Sequence, residues 1–144
     1  VAALANGKVL VIGLDGSSFK LPLEVDRQPN AFLFTDVWGD ARKDYIALYG
    51  KTVQLWGYDA NNDFDRRWRW EADTPVTRIF PTANGIGVLC RQKQQIFLLN
   101  AKGQVVEGFP LAGTTPFRID RLYDNNTPIV VTARENQLLF YRLP

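Results

Sequence analysis

The chain has 144 residues, with 17 lysine and arginine against 15 aspartate and glutamate. The resulting net charge of +2 at pH 7 is too small for bulk charge to recruit nucleic acid or an anionic membrane. There is no histidine, which removes the usual general base near neutral pH, the Ser-His and Cys-His nucleophile pairs and the commonest zinc ligand.

Taken in chain order, the elements are short strands separated by turns. "ALANGKVLVIGLDG" (3–16) reads as a hairpin, its Asn6-Gly7 suited to a two-residue type I′ turn with positive φ. "SFKLPLEV" (18–25) follows as a further strand. "AFLFTDV" (31–37) precedes a second hairpin, "YIALYGKTVQLWGYDAN" (45–61), turned at Gly50-Lys51, and then "FDRRWRWEA" (64–72). "VTRIF" (76–80) leads into "IGVLCRQKQQIFLLNAKG" (86–103) and "QVVEGFPLA" (104–112). "PFRIDRLY" (116–123) leads into "PIVVTARENQLLFYRLP" (128–144). In the last two hairpins "RQKQQ" and "ARENQ" predict longer polar loops than the two-residue turns.

No apolar stripe of period 3.6 persists for three turns, and prolines from Pro22 to Pro128 interrupt the remaining candidates for helix. No apolar run approaches the roughly 18 residues of a membrane span. Cys90, the single cysteine, excludes an internal disulfide. Its place in an alternating strand predicts a small buried hydrophobe.

Val9, Val53, Ile96 and Leu138 open the second strand of each hairpin, with spacings of 44, 43 and 42 residues. The chain is therefore expected to be a single propeller-like segment, residues 1–144, of repeats at about 1–28, 29–74, 75–114 and 115–144. A four-stranded antiparallel unit of about 40 to 45 residues is the blade of a β-propeller. The fold expected is all-β, a propeller segment of about 3.5 blades. A β-sandwich fits the strand count but gives no reason for the repeat. Because propellers close with 4 to 8 blades, and because the chain begins at Val1 and holds no methionine, we expect the C-terminal part of a larger propeller. Leu55, Leu98 and Phe140, each two residues beyond its anchor, are expected at equivalent buried sites.

"DVWGDARKD" (36–44) sets Asp36, Asp40 and Asp44 four residues apart. In a calcium loop, positions 1, 3 and 5 supply oxygens, position 6 is glycine and position 9 often contributes. Trp38 at position 3 cannot ligate, and Ala41 at position 6 resists the left-handed conformation glycine takes freely. Asp120 and Asp124 lie 84 residues after Asp36 and Asp40, two periods on. That match ranks a structural role first, carboxylates accepting turn N–H groups. Calcium at Asp36, Asp40 and Asp44 ranks second and catalysis third; no other cofactor is expected.

"DRRWRWEAD" (65–73) interleaves arginine and tryptophan, a composition that stacks bases elsewhere. Here alternation sends Trp68 and Trp70 to one face and Arg67, Arg69 and Glu71 to the other, as in any half-buried strand. On an edge strand such charges discourage sheet-to-sheet pairing. These four, Arg67, Arg69, Trp68 and Trp70, are the candidate partner surface, for protein before nucleic acid. Trp38, Trp56, Phe64 and Phe109 are expected to fill the spaces between blades.

"DVWGDARKDYIALYG" resembles the FG-GAP repeat, D-x-N-G-D-G-x-x-D before a short apolar strand, matching at Asp36, Gly39, Asp40 and Asp44 and departing at Trp38 and Ala41. "YDANNDFDRRW" and "LNAKGQVV" are similar to quinoprotein-type (PQQ-like) blades, and "NAKGQVVEGFPLAGTTPF" (100–117) to blade junctions of large bacterial surface or periplasmic propellers. The resemblance implies the fold and a bacterial envelope setting, with a quinone not expected. The function expected is non-catalytic binding or scaffolding within a larger protein. The partners expected are another protein, further blades of the same chain, or a second copy through exposed blade faces. The alternative is the propeller region of an enzyme presenting Asp36 and Asp40 to sugar or phosphate substrates.

Overall fold

The computed structural model describes residues 2–3, 8–24, 27–121 and 127–144. Their apolar alternation produces fourteen strands in four antiparallel sheets that follow one another along the chain. Sheet 1 holds β1 (Ala2–Ala3), β2 (Lys8–Ile12) and β3 (Ser18–Glu24). Sheet 2 holds β4 (Ala31–Thr35), β5 (Asp44–Tyr49), β6 (Thr52–Tyr58) and β7 (Phe64–Glu71). Sheet 3 holds β8 (Arg78–Thr82), β9 (Gly85–Cys90), β10 (Gln95–Leu99) and β11 (Leu111–Ala112). Sheet 4 holds β12 (Arg118–Asp120), β13 (Ile129–Arg134) and β14 (Gln137–Arg142). The helical geometry among the described residues is one 3₁₀ turn, Arg91–Lys93.

Every sheet is a meander, each strand pairing with its sequence neighbour. A five-residue turn directly follows β2, β6 and β10. Asp59 N–H donates to Asp63 O and Asn62 N–H to Asp59 O; Asn100 with Gln104 and Gly103 with Asn100 repeat the pattern, as do Gly13 with Ser17 and Gly16 with Gly13. The fourth residue of each turn has positive φ: 82° at Gly16, 65° at Asn62 and 75° at Gly103. Asp59 and Asn100 each use one side-chain oxygen to accept two further N–H groups of their own turn, the hydrogen bonding that makes Asp and Asn turn residues.

Three apolar layers lie between successive sheets. Val9, Leu21 and Leu23 of sheet 1 meet Tyr45, Ala47 and Tyr49 of sheet 2. On its other face sheet 2 turns Ile46, Leu48, Val53 and Leu55 against Ile86 and Val88 of sheet 3. Sheet 3 in turn presents Leu89, Ile96 and Leu98 to Phe117 and Val130. The ring of Phe80 lies across Gly87, which pairs with Leu98, so the missing side chain makes the space that the ring fills. Cys90 is buried in the middle layer, and burial pushes its thiol pKa up. Trp56, Phe64 and Phe109 also pack into these layers.

Four sequence expectations change. Phe140 is 57% exposed where Leu55 and Leu98 are 0% and 1%. The register is the same, since Leu55 pairs with Ile46, Leu98 with Gly87 and Phe140 with Val131, but no described residue covers that face of sheet 4. "ARENQ" closes in two residues, with Arg134 opposite Gln137 and Glu135 at φ 55°. Gly50-Lys51 has positive φ at Gly50 only, the sign pattern of a II′ turn. Residues 104–112 form no continuous strand: Val105 makes an isolated bridge to Leu99 before β11. Gly108 at φ 91° and Pro110, which lacks an N–H, break the ladder between them. Asn6-Gly7 and Asp124 lie outside the described residues.

Candidate functional site

The acidic turn joins β4 to β5. Asp36 Oδ1 accepts the N–H groups of Gly39 (2.7 Å) and Asp40 (3.3 Å), and Oδ2 that of Ala41 (2.9 Å). Both of its oxygens therefore hold backbone. Ala41 adopts φ 65°, so the left-handed position expected to need glycine is occupied by alanine, held there by the bond to Asp36. Asp40 accepts the Arg42 N–H at 3.0 Å through Oδ1, and Arg42 Nε and Nη2 at 2.9 and 2.7 Å through Oδ2. These hydrogen bonds hold the Asp40 carboxyl below the usual range. A guanidinium thus sits on the carboxylate that a cation would need, and Arg42 also stacks on Tyr58 with 5.5 Å to the ring centroid.

Asp44 is 3% exposed. Its Oδ2 accepts Val37 N–H at 2.8 Å, and its carboxylate lies against Gly57, where any side chain would collide with it. Burial raises its pKa, assisted by the charges of Asp40 and Asp36 and opposed by the N–H groups of Val37 and Trp38. The three carboxylates are therefore spent on the turn itself. Among the described residues no group of three or more acids or cysteines converges as metal ligands would. In sheet 4, Asp120 Oδ1 accepts the N–H of Arg121 at 2.7 Å.

The arginine and tryptophan strand divides differently from the expected partner surface. Trp68 and Trp70 turn into the layer between sheets 2 and 3, since they pair with inward-facing Leu55 and Val53. Trp68 Nε1–H donates to Ala101 O at 2.8 Å and its indole lies on Gly103, locking β7 to the next sheet's turn. Arg69 forms an exposed pair with Glu71 at 2.8 Å, which Lys51 shares at 2.9 Å. Arg67 has no ladder partner, because Leu55 faces Trp68 while Trp56 faces Arg66. The resulting bulge aims Arg67 over Trp38, 5.5 Å from the ring centroid. Trp38 is 38% exposed and so lines the surface rather than filling an interface.

Trp38, Asp65, Arg66, Arg67, Trp68 and Lys102 enclose an open groove of about 500 Å³. Three cations, Arg66, Arg67 and Lys102, against the one carboxylate of Asp65 suit it to an acidic surface. Sequence reading missed Trp38, which lies on the far side of its repeat from Arg67, and Lys102, which belongs to the next repeat; the bulge that aims Arg67 at Trp38 leaves no pattern in "DRRWRW". Tyr45, 0% exposed, keeps a hydroxyl without a hydrogen-bond partner, and burial raises its pKa. Its ring packs between Phe32 and Trp56, 5.9 Å from each.

Among the described residues no helix is long and apolar enough to cross a membrane. No protein-family model matches the chain, and neither does any curated protein or solved structure with significance.

Proposed function

We propose that the chain is a run of about three and a half propeller blades that binds or scaffolds other macromolecules, without catalysis, within a larger bacterial envelope or surface protein. The observation that carries this reading is the succession of four antiparallel meanders in one register, each packed face on face with the next. The first strands of sheets 2 and 3, β4 and β8, lie against each other, as inner strands of neighbouring blades do. The envelope setting rests on the resemblance of the blade turns alone.

A non-catalytic role agrees with the state of the acidic turn, whose carboxylates are occupied by backbone N–H groups and Arg42. The test is a turnover assay with p-nitrophenyl glycosides and p-nitrophenyl phosphate. No release above buffer is expected. Release that Asp36→Asn or Asp40→Asn removes would overturn the reading in favour of an enzyme with axial carboxylates.

A further inference from the structure

One stretch of β7 breaks the alternation of its strand. Asp65, Arg66, Arg67 and Trp68 all line the open groove together with Trp38 and Lys102, although strict alternation sends neighbours to opposite faces. The cause is the bulge at Arg67, which has no ladder partner between the Leu55–Trp68 and Trp56–Arg66 pairs. A bulge re-aims a side chain, and here it gathers two arginines beside the lysine of the next sheet.

The groove is built from both sides by contacts within the chain. The Asp44 carboxylate takes the N–H groups of Val37 and Trp38, which fixes Trp38 against the Arg67 guanidinium. On the far side Asn100 Oδ1 accepts the N–H groups of Lys102 and Gln104. Trp68 Nε1–H donates to Ala101 O, so the turn that carries Lys102 is tied to β7. Backbone held in this way needs little ordering when a ligand arrives, which lowers the cost of binding.

Charge in the groove is unbalanced, unlike that of the ion pairs around it. Arg42 pairs with Asp40, Lys51 and Arg69 share Glu71, and Lys93 meets Asp73. Among the described residues no ion pair joins Arg66, Arg67 or Lys102 to a carboxylate, and all three are exposed. Two features then select the occupant. Both indoles are already engaged, Trp38 by Arg67 and Trp68 by Gly103 and Ala101, whereas single-stranded nucleic acid needs aromatic faces open for stacking. Asp65 repels a phosphate chain, yet it accepts the N–H groups that a peptide carries between its carboxylates.

We infer that this groove binds an acidic segment of another protein, with carboxylates on Arg66, Arg67 and Lys102 and a backbone N–H on Asp65. The arginine fork matches a carboxylate in two-point geometry. The inference rests on the binding reading above and gives it a site and a partner chemistry.

Isothermal titration calorimetry of the chain with a capped decapeptide alternating glutamate with glycine and serine tests it. Saturable binding is expected at low ionic strength, weakening as added salt screens the charges, and none with the peptide that has glutamine for glutamate. Arg67→Gln and Lys102→Gln are each expected to raise Kd about two- to fivefold, the worth of one exposed ion pair. Both residues are exposed, so the melting temperature should hold. Should Arg67→Gln unfold, Arg66→Gln with Lys102→Gln takes its place. Arg134→Gln makes the same charge change on sheet 4 and should leave Kd as it is. The inference is overturned if the glutamate peptide fails to bind, if the glutamine peptide binds as well, or if the groove variants weaken binding no more than Arg134→Gln. Decathymidylate binding tighter than the peptide would overturn it in favour of nucleic acid. Turnover in the glycoside and phosphate assays sinks the non-catalytic reading and leaves the titrations standing, whereas failed titrations without turnover overturn the groove alone.

Discussion

Sheets 3 and 4 carry the same hairpin in different circumstances. Leu98 and Phe140 occupy corresponding places in it, and one is 1% exposed while the other is 57% exposed. Alternation determines which side of a sheet a residue takes. Burial depends on a neighbour, which alternation in the residue's own strand does not encode. The comparison divides the chain into places where the repeat is used and places where it is only present.

The largest effect should separate these two leucine-like sites. Leu98→Ala is expected to cost about 2–5 kcal/mol, the range for a close-packed core site, whereas Phe140→Ala in dilute solution should stay within about 0.5 kcal/mol, as exposed substitutions do. Urea melts of both variants give the readout. Equal losses would mean that sheet 4 is covered in solution by something the monomer lacks, or that the register of sheet 3 is wrong.

Hairpin turns give the next contrast. Gly50 in sheet 2 and Glu135 in sheet 4 both hold positive φ, 62° and 55°, at the first residue of a two-residue turn. Glycine takes that conformation freely and glutamate does not. Gly50→Ala is expected to destabilise by about 1 kcal/mol and Glu135→Gly to stabilise by up to about 1 kcal/mol. Thermal melts check both signs. A Glu135→Gly variant less stable than wild type would show that the glutamate side chain compensates for its backbone.

These outcomes also mark how much was legible in the sequence. The meanders, their order and the layers built on Val53, Leu55, Ile96 and Leu98 could be read because hairpin signals and period-2 alternation are local. The exposure of Phe140 could not, since it depends on a neighbouring sheet. "ARENQ" hid its two-residue turn because a left-handed glutamate has no compositional signal. At the acidic turn, the three aspartates were legible as a comb and Asp36 as a turn acceptor. Arg42 as the occupant of Asp40 was not, because spacing rules describe ligands for an ion and say nothing of a neighbouring guanidinium.

A smaller effect comes from the buried carboxylate that sheet 2 has at Asp44. Its pKa is raised by burial, so the folded state holds the proton more tightly than the unfolded chain, whose aspartates titrate near about 3.9. Stability from this group is present below that value and is lost as pH rises through the folded one. Asp40 and Glu71, whose pKa values are lowered by Arg42 and by Lys51, act in the opposite sense and lose their contribution on acidification. Comparing wild type with Asp44→Asn cancels those opposing groups. The stability of the variant relative to wild type should rise with pH across the Asp44 window and then stay level. A difference independent of pH would mean that Asp44 is not buried as a carboxyl group.

The smallest effect expected is that of calcium. A good loop gathers five or more oxygens around the ion, whereas Asp36 has both oxygens on backbone N–H groups, Asp40 holds Arg42, and Asp44 is buried on Val37 N–H. An ion would have to displace a guanidinium and unpair backbone donors, and Trp38 offers no ligand in return. Affinity is then no better than roughly the millimolar range of weak extracellular sites. At a concentration equal to a dissociation constant of about 1 mM, linkage gives RT ln 2, or about 0.4 kcal/mol, a shift of about 1–2 °C in melting temperature for a chain of this size. Arg42→Ala sharpens the comparison by freeing the Asp40 carboxylate, and its shift in calcium should exceed that of wild type if the guanidinium stands where a cation would. A rise of several degrees in the wild-type chain, removed by Asp40→Asn, would instead make Asp36, Asp40 and Asp44 a working ion site between β4 and β5.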